Sequence, residues 1–426
     1  MTIVTAPVSK LSNMAETLIG SEILKIAGEV NEMIRNGEKV YNLTVGDFDP
    51  KVFPIPTELC EELINALRAG ATNYPPSDGI AELRQEVANL ISTREHITYS
   101  PQEVVIACGA RPIIYSIFRT IVEKGDKVIF PVPSWNNNHY CHMSEAIGVE
   151  IQTLPSNNFM PSADELRPHL KGATLLALCS PLNPTGTVFT ESNLGEICDL
   201  ILEENARRGA DEKPLYLMYD QIYWALTLGQ TQHFNPVSLR PEMRNYTVFV
   251  DGISKCFAAT GLRVGWALGP SFITSRMRAI LSHVGAWAPK AEQVATAKYL
   301  ANTDAVDSYL SNIKTEIKNR LDGLYEGFVR LQEKGLRVKA ITPQAAIYLT
   351  IQFDLAGMTT PEGKQLGNAK DVYKYLLKEA KVAIVPFYAF GAQEDNNWYR
   401  ISVGTLPAGD VPHIIDAIEA ALSKLK

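Results

Sequence analysis

A lysine placed directly behind an apolar strand is the side chain best suited to covalent chemistry in this sequence. In GISKCFAATGLRVGWALGP, which begins at Gly252, Lys255 follows the run TVFVD and Arg263 stands eight positions further on. A lysine in an exposed loop is a solvated cation, but partial burial lowers its pKa and turns it into a nucleophilic amine. Asp220 sits at the end of another apolar run, LYLMY, so its carboxylate is not that of an ordinary solvated turn. Tyr223 follows three residues later in YDQIY. Asn183 precedes Pro184 in SPLNPTG; the proline restricts where the amide points, although N-P-T-G is also a good turn by itself. The run VVIAC passes through Gly109 and Ala110 into a helical segment, IIYSIFRTIV. A helix amino terminus of that kind offers free N–H groups to an anion, and a guanidinium such as that of Arg263 forks onto anionic oxygens.

Several elements must hold these groups in place. VVIAC, KVIFPV, ATLLALC, LYLMY, TVFVD and VGWALG are short apolar runs separated by helical segments. That rhythm predicts an α/β fold with a mostly parallel sheet covered by helices on both faces. In such folds ligands lie beyond the carboxyl ends of the strands, where the polar residues above fall. From about Ser21 to Arg35 the apolar residues Ile23, Leu24, Ile26, Ala27, Val30, Met33 and Ile34 recur at helical spacing, and Gly37 supplies a stop. The turn-rich YNLTVGDFDPKVFPIP follows. Beyond Asp304 a long helix precedes strands around AIYLTIQF, VAIVPF and YRISVG, which suggests a smaller α+β domain. The first helix is expected to pack on this tail. The division is therefore a large domain over residues 50–303 and a discontinuous small domain from 1–49 and 304–426.

Lys255 and Arg263, with Gly252, Ser254, Ala258 and Gly261 around them, resemble the lysine signature of the class I and II aminotransferases. The likeness continues in order through Tyr74 in NYPPSDGIAELR, the CGARP turn, Trp135 in PVPSW, Asn183, Asp220 and Tyr223, and Arg400 in YRISVG. It implies pyridoxal phosphate fold type I, with a seven-stranded sheet in the large domain, and a chain similar to the aspartate aminotransferases. It also implies roles. Lys255 carries the cofactor covalently, Asp220 keeps its ring nitrogen protonated, and Tyr223 with Asn183 bonds its phenolic oxygen. Gly109, Ala110, Ser254 and Arg263 take the phosphate, and Trp135 stacks on the ring. Arg400, with Gly46, grips the substrate α-carboxylate, where Asn183 and Trp135 also lie. Tyr74 reaches the phosphate of a neighbouring subunit, which makes a homodimer the expected assembly. One position departs from the pattern: many relatives carry a serine where this chain has Gly252, and Ser254 is the expected substitute.

The implied reaction is ping-pong transfer of an amino group from an L-amino acid to a 2-oxo acid, with 2-oxoglutarate the expected acceptor. The alternative within the same fold is a carbon–sulfur β-lyase, which needs the same cofactor and carboxylate contacts. The preferred amino donor is open; Lys290 and Arg111 are the candidate cations for a second, distal carboxylate, and the polar loop WNNNHY suits an amide instead.

Bulk properties exclude other classes. Forty basic residues against 47 acidic ones give a net charge of −7, and no basic block tracks a phosphate backbone, so nucleic acid is not expected as a partner. No apolar run approaches the ~18 residues of a membrane span, and the amino terminus lacks a secretory pattern. Six cysteines without a C-x-x-C pair suit a reducing compartment, so the chain is expected in the cytoplasm. HYCH at His139 to His142 has no second ligand pair at zinc spacing, so no metal is expected. Motifs of zinc proteases, G-x-S-x-G hydrolases and P-loop proteins do not occur.

Overall fold

The computed structural model describes residues 11–426. Strand β1 (Tyr41–Asn42) comes first, followed by seven strands that form one sheet. These are β2 (Val104–Ala107), β3 (Lys127–Val132), β4 (Ile147–Gln152), β5 (Ala173–Cys179), β6 (Tyr216–Asp220), β7 (Thr247–Gly252) and β8 (Gly265–Leu268). Their order is β2-β8-β7-β6-β5-β3-β4, parallel except for β8, which runs against both neighbours.

Successive residues of a strand point to opposite faces, so a sheet covered on both sides needs near-continuous apolar strands. Leu175 and Ala177 of β5 enter one core, with Ile113, Ile117 and Phe118 of the helix Ala110–Ile121 and Ile273 and Met277 of the helix Ser271–Val284. Leu176 and Leu178 enter the other, with Leu83, Val87 and Ile91 of the helix Ala81–Glu95 and Leu194, Ile197 and Ile201 of the helix Glu191–Arg207. All six apolar runs of the sequence are strands of this sheet. β4 is the addition; it lies at the sheet edge and is largely exposed, so IGVEIQ shows no such run.

The long helix Thr303–Glu333 leads to a second sheet, β12-β13-β10-β9, wholly antiparallel. Its strands are β9 (Val338–Ala340), β10 (Tyr348–Phe353), β12 (Val385–Pro386) and β13 (Trp398–Ser402). Strand β11 (Val382–Ala383) pairs in parallel with β1, and the Tyr373 hydroxyl reaches Glu29 of the first long helix, Glu22–Arg35, at 3.5 Å. The amino-terminal segment therefore packs on the carboxyl-terminal tail. Ile23, Ile26 and Val30 form the buried stripe of that helix, whereas Leu24 and Ile34 are exposed.

Candidate active site

Five parallel strands deliver their carboxyl ends to one edge of the large sheet. Gly109 follows β2, Trp135 follows β3, Asn183 follows β5, Asp220 ends β6 and Lys255 follows β7. Because β8 runs in reverse, its start rather than its end lies at this edge. Gly265 pairs with both Ala107 and Gly252, so Arg263, two residues earlier, emerges beside Gly109 and Lys255.

Lys255 lies on a single helical turn, Ile253–Cys256, and its Nζ donates to the Gly46 carbonyl at 2.6 Å. Burial lowers its pKa to about 8; Asp47 opposes the shift, and the positive fields of Arg400, Arg111 and Arg263 reinforce it. The neutral form that a nucleophile requires is therefore far more populated near physiological pH than for an exposed lysine. Asp220 has the converse environment. Burial pushes its carboxyl up to about 6, and only the Ile222 N–H, 3.1 Å from Oδ1, favours the charged form.

Arg400 lies on β13, an inner strand of the second sheet, and is 1% exposed. Its Nη1 donates to Asn183 Oδ1 at 2.9 Å and its Nη2 to the Thr44 carbonyl, while Nε has no partner. The guanidinium faces the rings of Tyr348 and Phe390, 4.7 and 4.9 Å from their centroids. Among the described residues no carboxylate pairs with it. A buried, uncompensated guanidinium is costly, and one with a free donor edge suits an incoming carboxylate.

Arg263 donates through Nη1 to the Thr260 carbonyl at 2.7 Å and through Nη2 to the Cys108 carbonyl at 3.1 Å. Gly109 caps the helix Ala110–Ile121 at φ 85°, and a Cβ there would lie 2.2 Å from Arg263 Nη2. The guanidinium thus lies against Gly109 at the amino terminus of this helix, an arrangement suited to a phosphate. At Gly252 a Cβ would lie 2.7 Å from the Val264 carbonyl oxygen and 2.8 Å from Gly265 Cα. The close β7–β8 pairing therefore excludes a serine side chain at this position. Ser254 is buried one residue before Lys255.

The Tyr223 hydroxyl is 2.5 Å from that of Tyr348, and burial raises both phenols. Lys255 Nζ lies 5.9 Å from the Tyr223 ring centroid, and Arg111 lies 5.3 Å from that of Trp135. Tyr74 stands apart from this group: it is 82% exposed and packs edge-on against Trp287, centroids 5.2 Å apart. Lys290 beside it is held by Asn73 at 2.6 Å, whereas Arg111 contributes to the field at Lys255. His142, from the HYCH segment, bonds the helix Asn13–Thr17 through Thr17 Oγ1 and the Met14 carbonyl.

Tyr348, Asp47 and Thr44 join the site without having stood out in the sequence. Tyr348 sits in a run that looks like strand core. Asp47 accepts from Thr260 Oγ1 at 2.6 Å and was legible only as part of the turn-rich passage that has to approach something.

An amine of lowered pKa, a carboxylate of raised pKa, an anion cradle and an arginine without a carboxylate partner together define an enzyme site for amine and carboxylate chemistry. The sequence model for aminotransferase class I and II matches residues 38–418, and the chain belongs to that family, whose members are pyridoxal phosphate enzymes. It is similar to an aspartate aminotransferase of Bacillus sp., 28% identical over 398 residues, covering 93% of this chain and 95% of that one. An aspartate/prephenate aminotransferase of Thermus thermophilus is 30% identical over 386 residues, 89% of this chain and 92% of the relative. Among solved structures, the aspartate aminotransferase of Rhizobium meliloti superposes with a TM-score of 0.88 at 26% identity, covering 98% of this chain and all of the other. The fold is pyridoxal phosphate fold type I, and the chain is an aminotransferase.

Proposed function

We propose that this chain is a pyridoxal phosphate-dependent aminotransferase for a dicarboxylic L-amino acid of the aspartate type, with 2-oxoglutarate as acceptor in a ping-pong cycle. The observation that carries the proposal is the buried Arg400, without a carboxylate partner among the described residues, together with a second arginine, Arg111, placed over Trp135. The residues present fit the cofactor. The Gly109–Ala110 turn with Arg263 suits its phosphate, and Asp220, buried without a cationic partner, suits a protonated ring nitrogen. When bound, the group supplies an electron sink for the bond broken at the substrate α-carbon.

The chain's own groups do the rest. Lys255 would hold the cofactor, and its amine is placed to move a proton at the substrate α-carbon. Tyr223 and Asn183, positioned by Tyr348 and Arg400, would donate to the cofactor's phenolic oxygen. Trp135 would pack against its ring, and Ser254 would offer a hydroxyl to its phosphate. Arg400 forks onto the α-carboxylate beside Gly46. Arg111 is the cation for the distal carboxylate, a role for which its position over Trp135 is the support and which Lys290, held by Asn73, lacks. The names of the relatives, aspartate aminotransferases, support the same substrate class.

Further proposals concern the whole chain. It works as a homodimer with Tyr74 contributed across the interface, and it divides into a large domain of residues 50–303 and a small one of 1–49 with 304–426. Six free cysteines support a cytoplasmic setting, and no helix among the described residues is long and apolar enough to cross a membrane.

The test is a donor screen with 2-oxoglutarate, run on the parent and on Arg111→Ala. Aspartate should lead, and loss of a charge-assisted pair should raise its KM about tenfold or more while donors without a distal carboxylate change little. Equal effects on all donors would remove Arg111 from the distal site. Pyruvate and ammonia formed without an acceptor would instead favour β-elimination.

A further inference from the structure

The chain from Asp220 to Trp224 serves two places. Asp220 and Tyr223 belong to the site above, whereas Trp224 lines a separate cavity of about 850 Å³ and Gln221 bonds Glu95 in its wall. This cavity lies between the end of the helix Ala81–Glu95, the loop 224–235 and the amino-terminal half of the helix Thr303–Glu333. None of the residues assigned to cofactor or substrate lines it.

Two polar groups in its wall are buried and unsatisfied. Glu95 is 6% exposed; its Oε1 accepts from Gln221 Nε2 at 2.6 Å, but Oε2 has no hydrogen bond, and the nearest base, His233 Nε2, is 3.6 Å away. The His233 side chain is 8% exposed and its Nδ1 also lacks a partner. At 3.6 Å the two pair as ions when the imidazole is protonated but make no hydrogen bond, and a buried carboxylate oxygen without a hydrogen-bond donor is costly.

The cations that line the cavity differ in how they are used. Arg94 is paired with Asp307 at 2.6 Å, and Lys318 with Asp322. Lys314, half-buried on the same helix, has no carboxylate or hydrogen-bond acceptor among the described residues, and burial lowers its pKa. Glu95 Oε2 thus lacks a hydrogen-bond donor, and Lys314 lacks an anion.

We propose that this cavity is a second binding site, which takes a small zwitterion whose ammonium group donates to Glu95 and whose carboxylate meets Lys314. Because Gln221, the residue after Asp220, is bonded to Glu95, the occupant is placed to act on the active-site loop from behind.

Calorimetric titration of the holoenzyme with glycine, 3-aminopropanoate and 4-aminobutanoate tests this, with butylamine and butyrate as single-charge controls. Arg400→Gln separates the two sites, since it weakens carboxylate binding at the active site and leaves the cavity intact. At least one zwitterion should bind saturably, one per chain, and should still bind Arg400→Gln. Its affinity should fall about tenfold or more in Lys314→Met and in Glu95→Gln, the loss expected for a charge-assisted hydrogen bond, while the single-charge controls bind weakly. Lys314→Met, a half-buried change on a helix surface, decides the matter by itself where Glu95→Gln does not fold. Absence of saturable binding, binding that disappears in Arg400→Gln, or unchanged binding in Lys314→Met would each overturn the proposal.

Discussion

Lys255 can attack a carbonyl only as the neutral amine, so the environment that lowers its pKa matters as much as its position. With that pKa near 8, the rate at which cofactor-free protein captures pyridoxal phosphate should rise with pH and level off above about pH 8. An exposed lysine would keep accelerating toward its ordinary value of 10.5, and the visible absorbance of the captured cofactor separates the two profiles. Asp220 makes an opposite prediction for stability. Its folded-state pKa, about 6, lies above the ordinary 3.8, so the folded cofactor-free chain binds the proton more tightly than the unfolded one. That contribution is complete below about pH 4 and is lost as pH rises through about 6. Asp220→Asn should therefore stabilise the cofactor-free protein at pH 7 by about 3 kcal/mol and leave it unchanged near pH 4, as denaturant melts would read. Turnover of the loaded enzyme should fall by orders of magnitude in the same variant, because the ring nitrogen loses its anion. A parent more stable than the variant at pH 7 would mean that the carboxylate has a favourable partner within the fold.

The elements explain why some of this site could be read from the sequence and some could not. Lys255, Asp220 and Asn183 each follow a strand buried on both faces, and such strands are legible because nearly every residue is apolar. β4 was missed for the opposite reason: an exposed edge strand keeps polar and small residues. The contacts of Arg400 with Thr44 and of Tyr223 with Tyr348 join positions more than a hundred residues apart, and no local pattern encodes them. The Gly252 departure was visible as a difference, but its cause was not, since it depends on how closely the reversed strand β8 approaches β7. The same reversed strand brings Arg263 over Gly109, which leads to a prediction at this scale. A methyl group at Gly109 would lie 2.2 Å from the guanidinium, at a φ of 85° that side chains rarely adopt, so Gly109→Ala should displace Arg263 from the helix terminus. Loss of a charge-assisted phosphate contact predicts about tenfold or greater weakening of pyridoxal phosphate retention, read by dialysis and absorbance, with the far-ultraviolet spectrum preserved. Retention equal to the parent's would show that Arg263 does not hold the phosphate.

At the scale of the whole molecule, Tyr74 is out of place in a single chain. A tyrosine 82% exposed and packed edge-on against a tryptophan is a contact surface without its counterpart, and it is the sole proposed cofactor residue outside the group around Lys255. If it reaches the phosphate of a partner subunit, Tyr74→Phe should weaken cofactor retention in the homodimer without moving the pH profile of Lys255. The cross-subunit role makes a sharper demand on hybrids. In a heterodimer of Tyr74→Phe with Lys255→Ala, the site that keeps Lys255 borrows its tyrosine from the Lys255→Ala subunit and so has both groups. The other site has neither the amine nor, across the interface, the phenol. Mixing two preparations, one poor in cofactor and one inactive, should therefore restore activity and tight retention at one site per dimer, measured on heterodimers isolated by two affinity tags. Dilution that separates the subunits should abolish the gain. Isolated heterodimers whose Lys255 site loses pyridoxal phosphate as readily as the Tyr74→Phe homodimer would confine Tyr74 to packing on Trp287, and the phosphate would then be held within one chain.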